Sequence, residues 1–306
     1  MIIPIERREG IKKIFYNILY FPFVLRFENG LNALKNKISV YYVFAPFKKA
    51  KYRDEINHLL RNTDIDNPLS FIFPYPFSLK YDYCNVKVYK DVKNGLFYVL
   101  HHGKKLYYSR DYKEEIEVQK AYYWISIEQD DASPHRYIND SFSVAQDDVV
   151  VDIGAAEGNF SLEIIEKASK LFIFETDEKW IEALNATFEP WGKKVEIINK
   201  YVSDVNNETC IRLDNILENQ TINFIKMDVE GAEIKILKSI DRILNNNKLL
   251  KLAICTYHRK NDAKKIEKIL RNKKLNYSFS EGYMLFIYGE LTPPYFRKGL
   301  VRAVKS

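Results

Sequence analysis

From residue 148 onward, short apolar runs alternate with stretches whose apolar positions recur every three or four residues. The runs fall at 149–152, 171–174, 195–199, 222–227 and 250–255. Runs this short and this continuous read as strands buried on both faces. The periodic stretches at 159–168, 177–188, 232–244 and 262–271 read as amphipathic helices. Strand–helix alternation predicts a doubly wound, mostly parallel sheet. Two last runs, 277–279 and 283–288, bracket Glu281-Gly282 and predict a hairpin.

The first half is patterned differently. Residues 86–89 and 96–100 alternate polar and apolar positions around Asn94-Gly95, a strong hairpin signal, and His102-Gly103-Lys104 makes the next turn. His101 and His102 are adjacent, so on a strand they point to opposite faces and could not share a metal. Residues 112–127 read as a helix with Ile116, Ala121, Trp124 and Ile125 on one side. Residues 48–60 read as another helix. The stretch 11–27 has large apolar residues rimmed by Arg and Lys and is interrupted by Pro22. It reads as a helix packed on a core, against the alternative of a helix lying on an anionic membrane. Pro68, Pro74 and Pro76 mark a linker over 67–79. The expected organisation is an aromatic, helical region (1–80), a hairpin, helix and polar loop (81–140), a ligand-binding α/β domain (141–290), and a basic tail crossing the surface (291–306).

Composition narrows the function without naming it. With 46% hydrophobic and 29% charged residues, the 306-residue chain is globular. A net charge of +6 is mild and gives no reason to expect a nucleic-acid partner. Most of the 22 Tyr and 19 Phe belong in cores, although exposed tyrosines suit sugar faces. Cys84, Cys210 and Cys255 are scattered and odd in number, matching neither a disulfide framework nor a metal pattern, so a reducing cytoplasm is expected. No run approaches the roughly 20 apolar residues of a membrane span, and the charged start lacks the form of a signal peptide.

The chemistry concentrates at strand ends. Residues 149–160 read VVVDIGAAEGNF, a strand, a glycine turn and a helix start. Gly154 lets the chain turn off the strand, Ala155 lies inside the loop, and Gly158 lets the helix approach the sheet. Such a loop accepts dinucleotides, phosphates or S-adenosylmethionine. Asp152 and Glu157 beside it would repel a phosphate and favour a cationic ligand without one. Glu175, with Thr176 after it, follows Gly158 by 17 residues at the next strand end, close to the spacing for a carboxylate on ribose hydroxyls. Ser203 and Asp204 follow the third strand, at the adenine edge. Asp228 and Glu230 leave the fourth strand, and Tyr257, His258 and Arg259 leave the fifth. A neutral imidazole at His258 could accept a hydroxyl proton.

DIGAAEG, FIFETD, FIKMDVEGAE and LAICTYH, in that order, resemble the FkbM family of S-adenosylmethionine-dependent methyltransferases over about residues 137–288. Ala156 stands where many relatives have Asn. The resemblance implies a Rossmann-like class I methyltransferase sheet, mostly parallel and closed by an antiparallel hairpin, with an N-terminal α+β accessory region. It implies S-adenosylmethionine as cofactor and S-adenosylhomocysteine as product. Asp228 would lie by the methionine part and Glu230 would face the active site. The loop before the first core strand would fold over the site, making Glu128, His135, Arg136 and Tyr137 candidates for acceptor contacts, with Tyr257 and Arg259 opposite. The implied activity is O-methylation of a sugar hydroxyl on a saccharide or nucleotide sugar in surface-glycan synthesis, with no resident metal required. The alternatives are an NAD-dependent sugar oxidoreductase, disfavoured by the carboxylates at the loop, and a non-catalytic glycan- or membrane-binding module.

Overall fold

The computed structural model describes residues 22–61, 69–218, 220–287, 293 and 295–305. The chain divides into two compact units, residues up to Pro76 and residues from Phe77. Most of the basic-rimmed stretch 11–27 lies outside the described residues. The first unit holds α1 (Pro22–Val43), α2 (Pro46–Lys51), α3 (Arg53–Arg61) and α4 (Leu69–Ile72). The helix expected over 48–60 is therefore two helices. Ile38, Tyr42, Tyr52, Ile56 and Leu59 are buried, and the Tyr42 and Tyr52 rings meet edge-on at 5.6 Å. No helix among the described residues is long and apolar enough to cross a membrane.

The second unit begins with a three-stranded antiparallel sheet, β1 (Tyr89–Lys90), β2 (Phe97–His101) and β3 (Lys104–Tyr107), followed by α5 (Glu115–Glu128). A capping box sets the start of α5: Glu114 accepts from the third helical residue while the Glu117 side chain accepts from the Glu114 N–H, at 3.0 Å. Then come β4 (Val149–Ile153), α6 (Asn159–Ile164), β5 (Lys170–Phe174), α7 (Glu178–Phe188), β6 (Val195–Ile198), the short pair β7 (Tyr201–Val202) and β8 (Cys210–Ile211), and α8 (Leu213–Ile216). The chain continues through β9 (Phe224–Met227), α9 (Glu233–Lys238), α10 (Asp241–Asn246), β10 (Leu250–Cys255), α11 (Asp262–Asn272), β11 (Asn276–Phe279), β12 (Met284–Leu285), β13 (Phe296–Arg297) and β14 (Leu300–Lys305).

Seven strands make the main sheet in the order β11-β14-β10-β9-β4-β5-β6. All its pairings are parallel except those of β14, which runs antiparallel to both β10 and β11. Alternate side chains on each strand serve two cores. Val150, Phe224, Ala253 and Cys255 face one that includes Val118, Ala183, Leu184 and Phe188. Val151, Ile153, Ile225, Met227, Leu252 and Ile254 face the other, with Ile236, Leu237, Ile243 and Ile266. Burial on both faces is why these strands read as unbroken apolar runs.

Two expectations about the C-terminal end are corrected. The antiparallel closure exists, but β11 pairs with β14 instead of with 283–288; there, Met284–Leu285 pairs with Phe296–Arg297. The tail is not a surface strap: Leu300, Val301 and Ala303 are buried, and β14 is an interior strand. Six residue pairs with β10 and four with β11 outweigh the local turn signal at Glu281-Gly282. The single helix expected over 232–244 is α9 and α10, broken at Ser239 and Ile240.

Candidate active site

The carboxyl ends of β4, β5, β9 and β10 converge where α/β sheets bind ligands. Gly154 leaves β4 at φ 77°, and a Cβ there would collide with the Asp228 carbonyl at the end of β9. Glycine is thus required by a close approach of two strand ends. Gly158 adopts φ 88°, and a Cβ there would press on Leu184 of α7. The loop between them is organised by Glu175. Its carboxylate accepts from the backbone N–H groups of Ala156 (2.8 Å), Thr176 (2.7 Å) and Asp177 (2.8 Å), tying the first strand's loop to the second.

Beneath this loop lies a buried ion pair. Lys226, inside β9, brings Nζ to 3.0 Å from Asp152 Oδ1 and donates to the Gly154 carbonyl at 2.6 Å. Ser161 donates to the other Asp152 oxygen at 2.7 Å. Burial opposes the charge on Lys226, but Asp152 and Asp228 outweigh it and raise the ammonium above its ordinary value. Asp152 is fully buried. It holds the loop from below and does not present a free carboxylate to the crevice, a correction to its expected place against the cofactor.

Asp228 is the hub of the site. Its Oδ2 accepts from Tyr137 Oη at 2.7 Å and stands 3.4 Å from His135 Nε2. Its Oδ1 accepts from Tyr257 Oη at 3.2 Å and stands 3.3 Å from His258 Nε2. Burial works against ionisation, but His135, His258 and Lys226 prevail and hold Asp228 well below the usual carboxylate range. On its far side, His258 Nδ1 lies 2.9 Å from Glu233 Oε1, close in distance but poorly aligned. Burial disfavours the imidazolium, yet Glu233 and Asp228 overcome it and raise His258 above its ordinary value. A carboxylate beside each ring nitrogen thus makes His258 a stronger proton acceptor than a free imidazole. Arg297 holds the backbone here, donating to the carbonyls of Tyr257 (2.6 Å) and His258 (3.1 Å).

The polar loop 129–137 does fold back to this hub. Gln129 bridges it, its Nε2 at 3.2 Å from His135 Nδ1 and its Oε1 accepting from the Tyr137 N–H at 3.3 Å. Arg302 of β14 donates to the carbonyls of Arg136 (2.5 Å) and Tyr137 (3.2 Å), so the inserted strand clamps the loop. The Tyr137 ring lies over Lys226, 5.0 Å from Nζ. Burial, then Glu128, raise Glu157 to about 8. Burial and Asp228 likewise raise Glu128, against the pull of His135.

The other candidates stand apart from Asp228. Arg136 points to Glu163, which it grips through both terminal nitrogens at 2.7 and 3.2 Å. Glu230 is exposed at φ 51° on the rim, and Arg259 is exposed with its guanidinium over Gly231. Ser203 and Asp204 contact each other, Arg212 and Ser239. Three contributors carry no mark of the site in the sequence. Lys226 was visible as a lone charge within the apolar strand FIKM. Glu233 has the position of a helix-end residue, and Cys255, 3.7 Å from His135 Nε2, ends an apolar run.

The arrangement fits S-adenosylmethionine. Glu128, Glu157, Glu175 and Asp228 surround the crevice, and burial raises the first two, Glu157 to about 8, for want of a counter-charge. A sulfonium and an ammonium would supply that charge; a pyrophosphate would aggravate its lack.

A comparison with curated proteins finds no match. Among solved structures, the chain is similar to magnesium protoporphyrin IX methyltransferase from Synechocystis PCC 6803 with bound SAM (14% identity, 62% of this chain and 84% of that one, TM-score 0.40). It is also similar to a SAM-dependent methyltransferase from Aquifex aeolicus (13% identity, 58% and 90%, TM-score 0.37). A third is precorrin-6y C5,15-methyltransferase from Geobacter metallireducens GS-15 (14% identity, 53% and 81%, TM-score 0.38). A family model described as the methyltransferase FkbM domain matches residues 72–279, about two thirds of the chain. The chain belongs to the FkbM methyltransferase family and is a S-adenosylmethionine-dependent methyltransferase with a Rossmann-like class I fold.

Proposed function

We propose that the methyl acceptor is a hydroxyl group, and that it belongs to a sugar of a saccharide or nucleotide sugar. The observation that carries the reading is Glu233–His258–Asp228, an imidazole between two carboxylates at the strand ends. An amine can be methylated from its neutral form without assistance, whereas an alcohol needs its proton removed as the new bond forms. When bound, S-adenosylmethionine supplies an electrophilic methyl group on its sulfonium. Glu175 and the loop 154–158 hold the nucleoside side, and Ser203 and Asp204 border it.

His258 is the base. Glu233 keeps a proton on Nδ1, leaving the Nε2 lone pair to take the hydroxyl proton beside Asp228. The misalignment at Nδ1 tightens once the acceptor fills the site. Tyr137 and Tyr257 fix the Asp228 carboxylate by donating to its two oxygens. Glu230, Arg259 and Glu128 line its approach. Family membership argues against the dehydrogenase alternative, and a measured turnover would exclude the non-catalytic module. The free thiols Cys84, Cys210 and Cys255 support a reducing, cytoplasmic setting.

A screen of labelled methyl transfer over nucleotide sugars, free saccharides, amines and peptides tests the acceptor class. Label in an alkali-stable sugar methyl ether is expected; label only in amines would refute the hydroxyl reading.

A further inference from the structure

The hairpin carries a second cluster away from Asp228. One nitrogen each of His101 and His102 and one carboxylate oxygen of Glu163 lie within 4.8 Å of one another. The sequence argued against this, since neighbours on a strand diverge. But β2 ends at His101, and His102 enters the turn at φ 49° in the left-handed region. That twist brings the two rings to 4.4 Å, edge to face. Glu163 comes from α6, which packs on the hairpin.

The state of His101 points to a ligand. The side chain is buried, and Nδ1 lies 3.2 Å from Tyr122 Oη. Its Nε2 is shut off from water without a well-formed hydrogen bond, the Asn159 backbone being the polar group near the ring. Metal-binding imidazoles use one nitrogen for the ion while the other bonds a second group that fixes the tautomer. His101 has that form: with the proton on Nδ1 toward Tyr122, Nε2 keeps its lone pair. The cluster at Asp228, Glu233 and His258 also brings ligand atoms together, but there each carboxylate answers an imidazole or hydroxyl donor.

We propose that His101, His102 and Glu163 form a binding site for a borderline divalent cation of the Zn²⁺, Co²⁺ or Ni²⁺ class. Two imidazoles and one carboxylate suit these ions, while Mg²⁺ and Ca²⁺ prefer oxygen ligands. Arg136 is the built-in competitor, because it occupies both Glu163 oxygens. The ion and the guanidinium therefore share one carboxylate. Arg136 lies next to His135 in the loop that reaches Asp228, so occupancy of this site acts on the methyl-transfer centre through that loop.

Titration of the full-length protein with Co²⁺, followed by its d–d absorption and by calorimetry, tests the proposal. One ion is expected to bind, with no thiolate-to-cobalt charge-transfer band. His102→Gly keeps the left-handed turn while removing one ligand, and should weaken binding at least ten-fold, as should Glu163→Gln. Arg136→Gln removes the competing charge and should tighten binding at least three-fold, a gain that misfolding cannot imitate. Asp228→Asn should leave the spectrum unchanged. No binding by the wild type, full binding by His102→Gly, weaker binding by Arg136→Gln, or loss in Asp228→Asn would each overturn the assignment.

Discussion

Replacing Glu233 by glutamine tests the relay most selectively. The change removes one negative charge and keeps the shape of a side chain that is 1% exposed. At 2.9 Å from His258 Nδ1, the gross attraction of unit charges is about 6 kcal/mol for an effective dielectric of about 20. Desolvation removes most of it, and a contact to a charged group retains about 1.5–3 kcal/mol. That energy is fully realised only when His258 becomes an imidazolium by taking the acceptor proton, so it belongs to the transition state. The turnover number should therefore fall about 10- to 150-fold. His258 should also lose its upward shift, so the rising acid limb of the pH–rate profile should move to lower pH. Initial rates with the acceptor found by the screen, measured from pH 5.5 to 9 alongside calorimetric affinity for S-adenosylhomocysteine, give both readouts. An unmoved acid limb with an unchanged rate would refute the relay. Parallel loss of product affinity would show that Glu233 acts on the cofactor pocket instead.

Two further outcomes follow from the same geometry. Lys226→Met strands the fully buried Asp152, and breaking such a pair costs about 3–5 kcal/mol, so chemical denaturation should show a loss of that size; a loss under 1 kcal/mol would mean that the pair is solvated. Stability should also decline from pH 6.5 to 8. His258 binds its proton more tightly folded than unfolded, so its contribution is complete below 6.5 and fades as pH rises through its raised folded value. Glu157, raised from 4.5 to about 8, is likewise protonated more readily in the folded state, and its buried charge becomes a growing burden over the same range. Scanning calorimetry at fixed ionic strength should show the fall, flattened in Glu157→Gln; equal slopes would remove Glu157 from the explanation.

The parallel part of the sheet was legible because its strands are buried on both faces. Val149–Ile153, Lys170–Phe174, Phe224–Met227 and Leu250–Cys255 each declare themselves as apolar runs. The closing strand did not. Leu300–Lys305 includes Arg302 and Lys305, and its partners at 250–255 and 276–279 lie far back in the chain. Only tertiary pairing separates it from a basic tail. The site divides in the same way. Asp228, Tyr257 and His258 are marked by their strand-end positions, whereas His135 and Tyr137 were indicated only by the resemblance to the FkbM family. The roles of Asp152 and Glu233 depend on side-chain direction: Asp152 turns down to Lys226, and Glu233 reaches back from the first turn of α9 to His258. Spacing along the chain carries no such information. His102 is the reverse case, where one left-handed residue undoes the alternation rule and joins two imidazoles.

The most direct test of the central claim, that the carboxylate-ringed crevice at the strand ends holds a cationic methyl donor, is calorimetric titration with S-adenosylmethionine, S-adenosylhomocysteine and NAD. One equivalent of each adenosyl ligand should bind and NAD should not, with Glu175→Ala weakening both at least ten-fold while His258→Ala leaves them within about three-fold. Binding of NAD in preference, or adenosyl binding indifferent to Glu175→Ala, would contradict the account.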